Sequence, residues 1–92
     1  MSFVSRLFGA RSKYDDGQIV SQAMKAIAAD PLISDPSSIV ITSQKGVITI
    51  SGVVHKLQEK DRIEGVVRSA LVNAGLKHER IINELRVPQL AS

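Results

Sequence analysis

Apolar residues in this chain recur with two periods, and the switching between them marks out five elements. The period is two through Lys45-Gly46-Val47-Ile48-Thr49-Ile50-Ser51-Gly52-Val53-Val54, a run rich in β-branched residues with no charge after its lysine. That is strand chemistry. Alternation sends Ile48, Ile50 and Val54 to one side and Val47, Thr49, Ser51 and Val53 to the other. Gly52 falls on the isoleucine side, where a residue without a side chain admits a second backbone, expected here to be a helix. Gly46 stands where a tight turn needs positive φ, so Ile39-Val40-Ile41-Thr42-Ser43 is expected to fold back as the first arm of a hairpin.

The remaining periodic stretches are helical or end the sheet. Ile19, Val20, Ala23, Met24, Ile27 and Ala28 recur at helical spacing, after Asp15 and Gln18 in a capping-box arrangement. Asp30-Pro31 stops this helix, and Asp35-Pro36-Ser37-Ser38 is a second turn. His55 to Ala74 reads as a second helix with Leu57, Ile63, Val66, Val67, Ala70 and Leu71 on its apolar side. Glu64 and Arg68 form an i, i+4 pair on the wet side. Gly65 inside this helix costs about 1 kcal/mol relative to alanine, and Gly75 is placed as its C-terminal cap. Arg80 to Val87 alternates again, with Ile81, Asn83, Leu85 and Val87 on one face and Ile82, Glu84 and Arg86 on the other. Pro88 ends it. With the isoleucines turned to the helices, the opposite sheet face carries Val40, Val47, Val53 and Ile82, a candidate patch for self-association or a partner.

Charge sharpens this picture once it is located. The 92 residues carry a net charge of +3. Residues 1–14 contain Arg6, Arg11 and Lys13 and no acid, whereas the rest of the chain balances nine basic against nine acidic side chains. The basic excess therefore belongs to an N-terminal lead, residues 1–14, ahead of a neutral domain at 15–88 and a short tail at 89–92. Phe3, Phe8 and Tyr14, the only aromatics, lie in the same lead. A nucleic-acid surface would want the basic patch and stacking aromatics on the fold itself, so nucleic acid is not expected as a partner.

On a helix, Phe3, Val4, Leu7 and Phe8 share one stripe, with Arg6, Arg11 and Lys13 supplying positive charge beside it. Half-burying four such side chains in a lipid interface gives about 4 kcal/mol. Each cation near an anionic surface adds roughly 1 kcal/mol. Ordering the segment costs ~1 kcal/mol or more per residue. The sum is close to zero, so membrane attachment through this lead is expected to be weak and reversible. Packing of the lead on the domain, or on a second copy, is the other reading. No apolar run approaches the ~20 residues of a membrane span. The N-terminal residues also lack a secretory apolar core, which predicts a cytoplasmic protein, peripheral to the membrane where it attaches, or a mature form already processed.

Catalytic and metal-binding signatures are missing. His55 and His78 stand alone, there is no cysteine, and no serine sits in a G-x-S-x-G elbow. Asp15-Asp16 is explained by helix capping, and the glycines form neither a G-x-G-x-x-G nor a Walker loop. The chain is expected not to be an enzyme. One electrostatic candidate remains at the end of the second helix. The carbonyls around Val72 and Ala74 carry the negative end of its dipole, a setting that can attract a hard monovalent cation.

The glycine-punctuated strand, the helix after it and Ile81-Ile82-Asn83-Glu84-Leu85-Arg86-Val87 together resemble the BON domain, whose pattern runs G-x-V-x-L-x-G-x-V, helix, V-x-N-x-L-x-V. Gly46, Gly52 and Asn83 stand at its marked positions. Gly75-Leu76 lies several residues earlier than the Gly-Val pair usual before the last strand, so a longer connection is expected there. The resemblance implies an α+β fold, a two-layer αββαβ sandwich with two helices on one face of a three-stranded mixed sheet. It implies binding to phospholipid headgroups or a protein partner in an osmotic-stress context, without catalysis or an organic cofactor. A second copy of the chain is a further candidate partner. A cytoplasmic branch with a comparable apolar lead, followed by a BON and then a LysM domain, binds potassium. The likeness is partial, with no LysM segment after Val87, and it points the carbonyls of Val72 and Ala74 toward that ion.

Overall fold

A computed structural model describes residues 13–88. Asp15 opens the first helix, α1 (Asp16–Ala29), and its carboxylate accepts the Gln18 N–H at 3.2 Å. Asp30, ahead of Pro31, is extended (φ −89°, ψ 113°) and ends the helix. Its carboxylate then accepts the Leu32 N–H at 2.9 Å and two bonds from the Arg62 guanidinium at 2.9 and 3.1 Å. A 3₁₀ turn (Pro36–Ser38) delivers the chain into β1 (Ile39–Gln44), and β2 (Val47–Val53) follows after a two-residue turn. Lys45 and Gly46 both have positive φ, 51° and 82°, the backbone of a primed hairpin turn. Helix α2 (Leu57–Asn73) crosses back over the sheet and leads to β3 (Arg80–Arg86).

The strands lie in the order β1-β2-β3, the first pair antiparallel and the second parallel. Both helices cover the same face, giving a two-layer α+β sandwich with a mixed sheet. On the covered face the register aligns Ser43–Ile48–Ile81, Ile41–Ile50–Asn83 and Ile39–Gly52–Leu85. Each helix buries a row spaced by four: Ile19, Ala23 and Ile27 from α1, and Ile63, Val67 and Leu71 from α2. These rows meet Ile39, Ile41, Ile48, Ile50 and Leu85, so the buried core is wholly aliphatic. A fully buried side chain of this size is worth about 1.5–3 kcal/mol relative to exposure.

Three sequence expectations need correction. Helix α2 begins at Leu57 rather than His55, because Lys56 is extended (φ −133°, ψ 148°) and serves as its N-cap. Leu57 lies off the Ile63–Val67–Leu71 row and is 66% exposed, so it is not part of the apolar face. The backbone admitted by Gly52 is also not a helix. A Cβ built at Gly52 would lie 2.0 Å from the Ser38 carbonyl oxygen and 3.1 Å from Ile39 Cα. The crowding comes from the chain entering β1, which Ser38 holds by donating its Oγ to the Val53 carbonyl at 2.8 Å.

Opposite outcomes are expected at the two internal glycines. Gly52→Ala combines a φ of 127° with that backbone collision, and should cost more than the roughly 1–3 kcal/mol of strain alone. Gly65→Ala meets nothing within 4 Å and should stabilise the protein by about 1 kcal/mol through helix propensity. Urea unfolding of both variants measures the difference.

Candidate functional site

The polar contacts of the hairpin end converge on Gly46. Its N–H donates to Asp16 Oδ1 at 3.0 Å, and its carbonyl accepts the Glu79 N–H at 2.7 Å. The Asp16 carboxylate also accepts the Ser43 hydroxyl at 2.6 Å and the Lys45 N–H at 2.8 Å. Asp16 is the first residue of α1, so one side chain binds the helix start to the turn between β1 and β2. The Ser43 hydroxyl foremost, then the Gly46 N–H, hold its pKa below the usual carboxylate value of 3.8.

Tyr14 closes the same corner. Its ring lies over Gly46, where an added Cβ would approach the ring carbons to 2.6 Å. Its hydroxyl donates to Glu79 Oε1, which raises the phenol pKa. Lys13 Nζ stands 5.4 Å from the Tyr14 ring centroid, a cation–π arrangement. The connection after Gly75 thus reaches the hairpin and locks Glu79 against both Gly46 and Tyr14. Lys45 lies at the turn, and Arg80 pairs with Val47 in the adjoining strand. Among the described residues neither cation has an ion-pair partner. The nearby acids are Asp15, Asp16 and Glu79, which accept hydrogen bonds from Gln18, from the turn and from Tyr14 respectively. Of the lead residues singled out by sequence, Lys13 sits at this corner, whereas Phe3, Val4, Arg6, Leu7, Phe8 and Arg11 lie outside the described residues.

The uncovered sheet face begins at this end. Its register rows are Gln44–Val47–Arg80, Thr42–Thr49–Ile82, Val40–Ser51–Glu84 and then Val53–Arg86. The four aliphatics therefore sit on four separate rows, as diagonal pairs Val47–Ile82 and Val40–Val53 around a threonine centre. Val40 and Val53 are exposed, and Val47 and Ile82 are half-buried. An open depression of about 770 Å³ lined by Asp16, Thr42, Gln44, Lys45, Val47 and Thr49 occupies the hairpin end of this face.

The other two sequence candidates are placed as follows. Asn83 faces α2, gives its amide nitrogen to that helix and keeps its amide oxygen for its own strand. Its Nδ2 donates to the Lys60 carbonyl at 3.0 Å and to Glu64 Oε1 at 3.1 Å, and its Oδ1 accepts the Leu85 N–H at 3.1 Å. Glu64 also accepts Arg68 at 2.7 Å, so its pKa is lowered by Asn83 first and Arg68 second. At the end of α2 the carbonyls of Leu71 and Val72 accept the N–H groups of Leu76 and Gly75, a Schellman pattern. The Val72 carbonyl is thus already hydrogen-bonded, and Ala74 is the C-cap residue beside it. The Tyr14–Gly46–Glu79 contact and the role of Asp16 were not anticipated from the sequence. Tyr14, immediately before the Asp15 cap, was the only available signal.

The molecule is a small two-layer sandwich with one cluster of polar contacts, around Gly46, at the hairpin end of its sheet. Residues 15–89 match the family model of the BON domain, and the chain belongs to that family of binding domains. None of the curated proteins matches it. No helix among the described residues is long and apolar enough to cross a membrane.

Asp16, Asp30, Glu59 and Glu64 all have lowered carboxyl pKa values in the folded state. A depressed carboxylate adds stability above its unfolded pKa and loses it as pH falls through the folded value. The melting temperature should therefore be level above about pH 5 and fall toward pH 3. Asp16→Asn should lower it at neutral pH and flatten that acid limb. Thermal melts across this range provide the check.

Proposed function

We propose that this protein is a non-enzymatic module that attaches to anionic phospholipid surfaces, hairpin end first, in an osmotic-stress context. The observation that carries this reading is the corner at Gly46. Lys13, Lys45 and Arg80 gather where Tyr14 joins the domain to a lead holding Phe3, Val4, Leu7, Phe8, Arg6 and Arg11. Cations placed near the headgroups add roughly 1 kcal/mol each, and the apolar stripe inserts at the acyl boundary. A fixed junction matters because only a lead held to the fold commits the domain to one orientation. Membership of the BON family supports the lipid assignment, and the apolar positions Val40, Val47, Val53 and Ile82 give the open face a second contact surface.

Co-sedimentation with phosphatidylglycerol vesicles at low salt tests the reading. The full chain should pellet with these vesicles, and not with phosphatidylcholine vesicles. A chain starting at Tyr14 should lose most binding. Lys45→Glu with Arg80→Glu should weaken binding at least tenfold, since reversing two cations removes more than the ~1 kcal/mol of each. Failure of the full chain to bind anionic vesicles would overturn the reading.

A further inference from the structure

The two edges of the sheet are treated differently. On β3, Arg80, Glu84 and Arg86 are charged, and Asn83 folds its side chain onto the Leu85 N–H. Charge and an occupied donor are the usual protections of an exposed edge. On β1 the sequence Ile-Val-Ile-Thr-Ser-Gln has no charge and no proline, and its register against β2 runs without a bulge.

The hairpin turn decides which groups β1 leaves unpaired. A two-residue turn makes Gln44 and Val47 the closing hydrogen-bonded pair, so Gln44, Thr42 and Val40 bond to β2. Ile39, Ile41 and Ser43 then direct their backbone groups outward. The Ile39 N–H turns back to the Pro36 carbonyl, leaving the Ile39 carbonyl and both groups of Ile41 and Ser43.

We infer that this edge takes β1 of a second copy, antiparallel, about a two-fold axis at Ile41, to build a continuous six-stranded sheet. Under that operation the two Ile41 residues exchange N–H and C=O. Each Ser43 N–H meets the Ile39 carbonyl of the other copy, so the unavailable Ile39 N–H is not needed. Opposed positions have the same parity, which keeps the helices of both copies on one side and the open faces on the other. Val40, 54% exposed, comes opposite Thr42, a cross-strand pair of two β-branched residues. A register centred on Thr42 would put Val40 against Gln44 instead. Four backbone bonds and two such pairs form a small contact, so the dimer is weak and reversible.

Sedimentation velocity of the full chain from micromolar to millimolar concentration reads this directly, without lipid, so its outcome is separate from the membrane reading. The mass should rise from 10.0 kDa toward twice that value. Val40→Lys with Thr42→Lys opposes lysines across the axis and should weaken association at least tenfold, with helical content unchanged by circular dichroism. Val40→Lys with Thr42→Glu opposes unlike charges and should restore it. A monomer at millimolar concentration, or an undiminished dimer in the double-lysine variant, would overturn the proposal.

Discussion

One carboxylate organises the hairpin end. Asp16 accepts hydrogen bonds from the Ser43 hydroxyl and from the N–H groups of Lys45 and Gly46, reaching 30 positions along the chain. The turn needs this help. Lys45 occupies a left-handed conformation without the freedom of glycine, and its N–H and that of Gly46 point away from the ladder. Satisfying both donors with a helix-start side chain joins α1 to the β1–β2 hairpin at one point. Glu79 and Tyr14 then reach that point from the far end of the chain and from the lead. The corner where the module meets its lead is thereby also the corner where four segments are tied together.

The other contacts between layers follow a similar economy. Asp30, at the end of α1, grips Arg62 on α2, and Asn83 on β3 grips the Lys60 carbonyl and Glu64. Between these polar ties the buried core of the described residues is aliphatic, with rows spaced by four on both helices against the isoleucines of β1 and β2. The arrangement leaves one sheet face and the β1 edge uncovered, and it keeps β3 occupied by Asn83. Proposed lipid contact uses the hairpin end, while proposed self-association uses the β1 edge, so the two need not compete.

Periodicity carried most of the architecture. The alternation of Ile48, Ile50 and Val54, the helical recurrence of Ile19, Ala23 and Ile27, and the positive φ required at Gly46 are local properties, and each reads directly from neighbouring residues. The order of elements follows from these patterns, whereas the two-layer sandwich and its mixed sheet were implied by the resemblance to the BON domain. What could not be read were partners distant in sequence. Asp16 beside Asp15 looks like a second capping residue, because nothing adjacent announces a turn 30 positions away. Gly52 signalled a close approach but not its identity, since a short strand entry and a helix impose the same demand for a missing side chain. Leu57 misled for another reason. Its apolarity was counted toward the face, while as the first residue of its helix it lies a turn and a half before Ile63, where the buried row begins, and is 66% exposed.

Among the described residues no ring is fully buried in the core, Tyr14 packs against its border, and the chain has one tyrosine and no tryptophan. Its only strong near-ultraviolet chromophore is therefore Tyr14, lying on Gly46 with its hydroxyl committed to Glu79. Tyrosine emission from this protein is in effect a gauge of that single corner. Loosening of the lead from the hairpin would alter the light signal while the aliphatic interior stayed intact, and rearrangement deep in the interior would pass almost unseen.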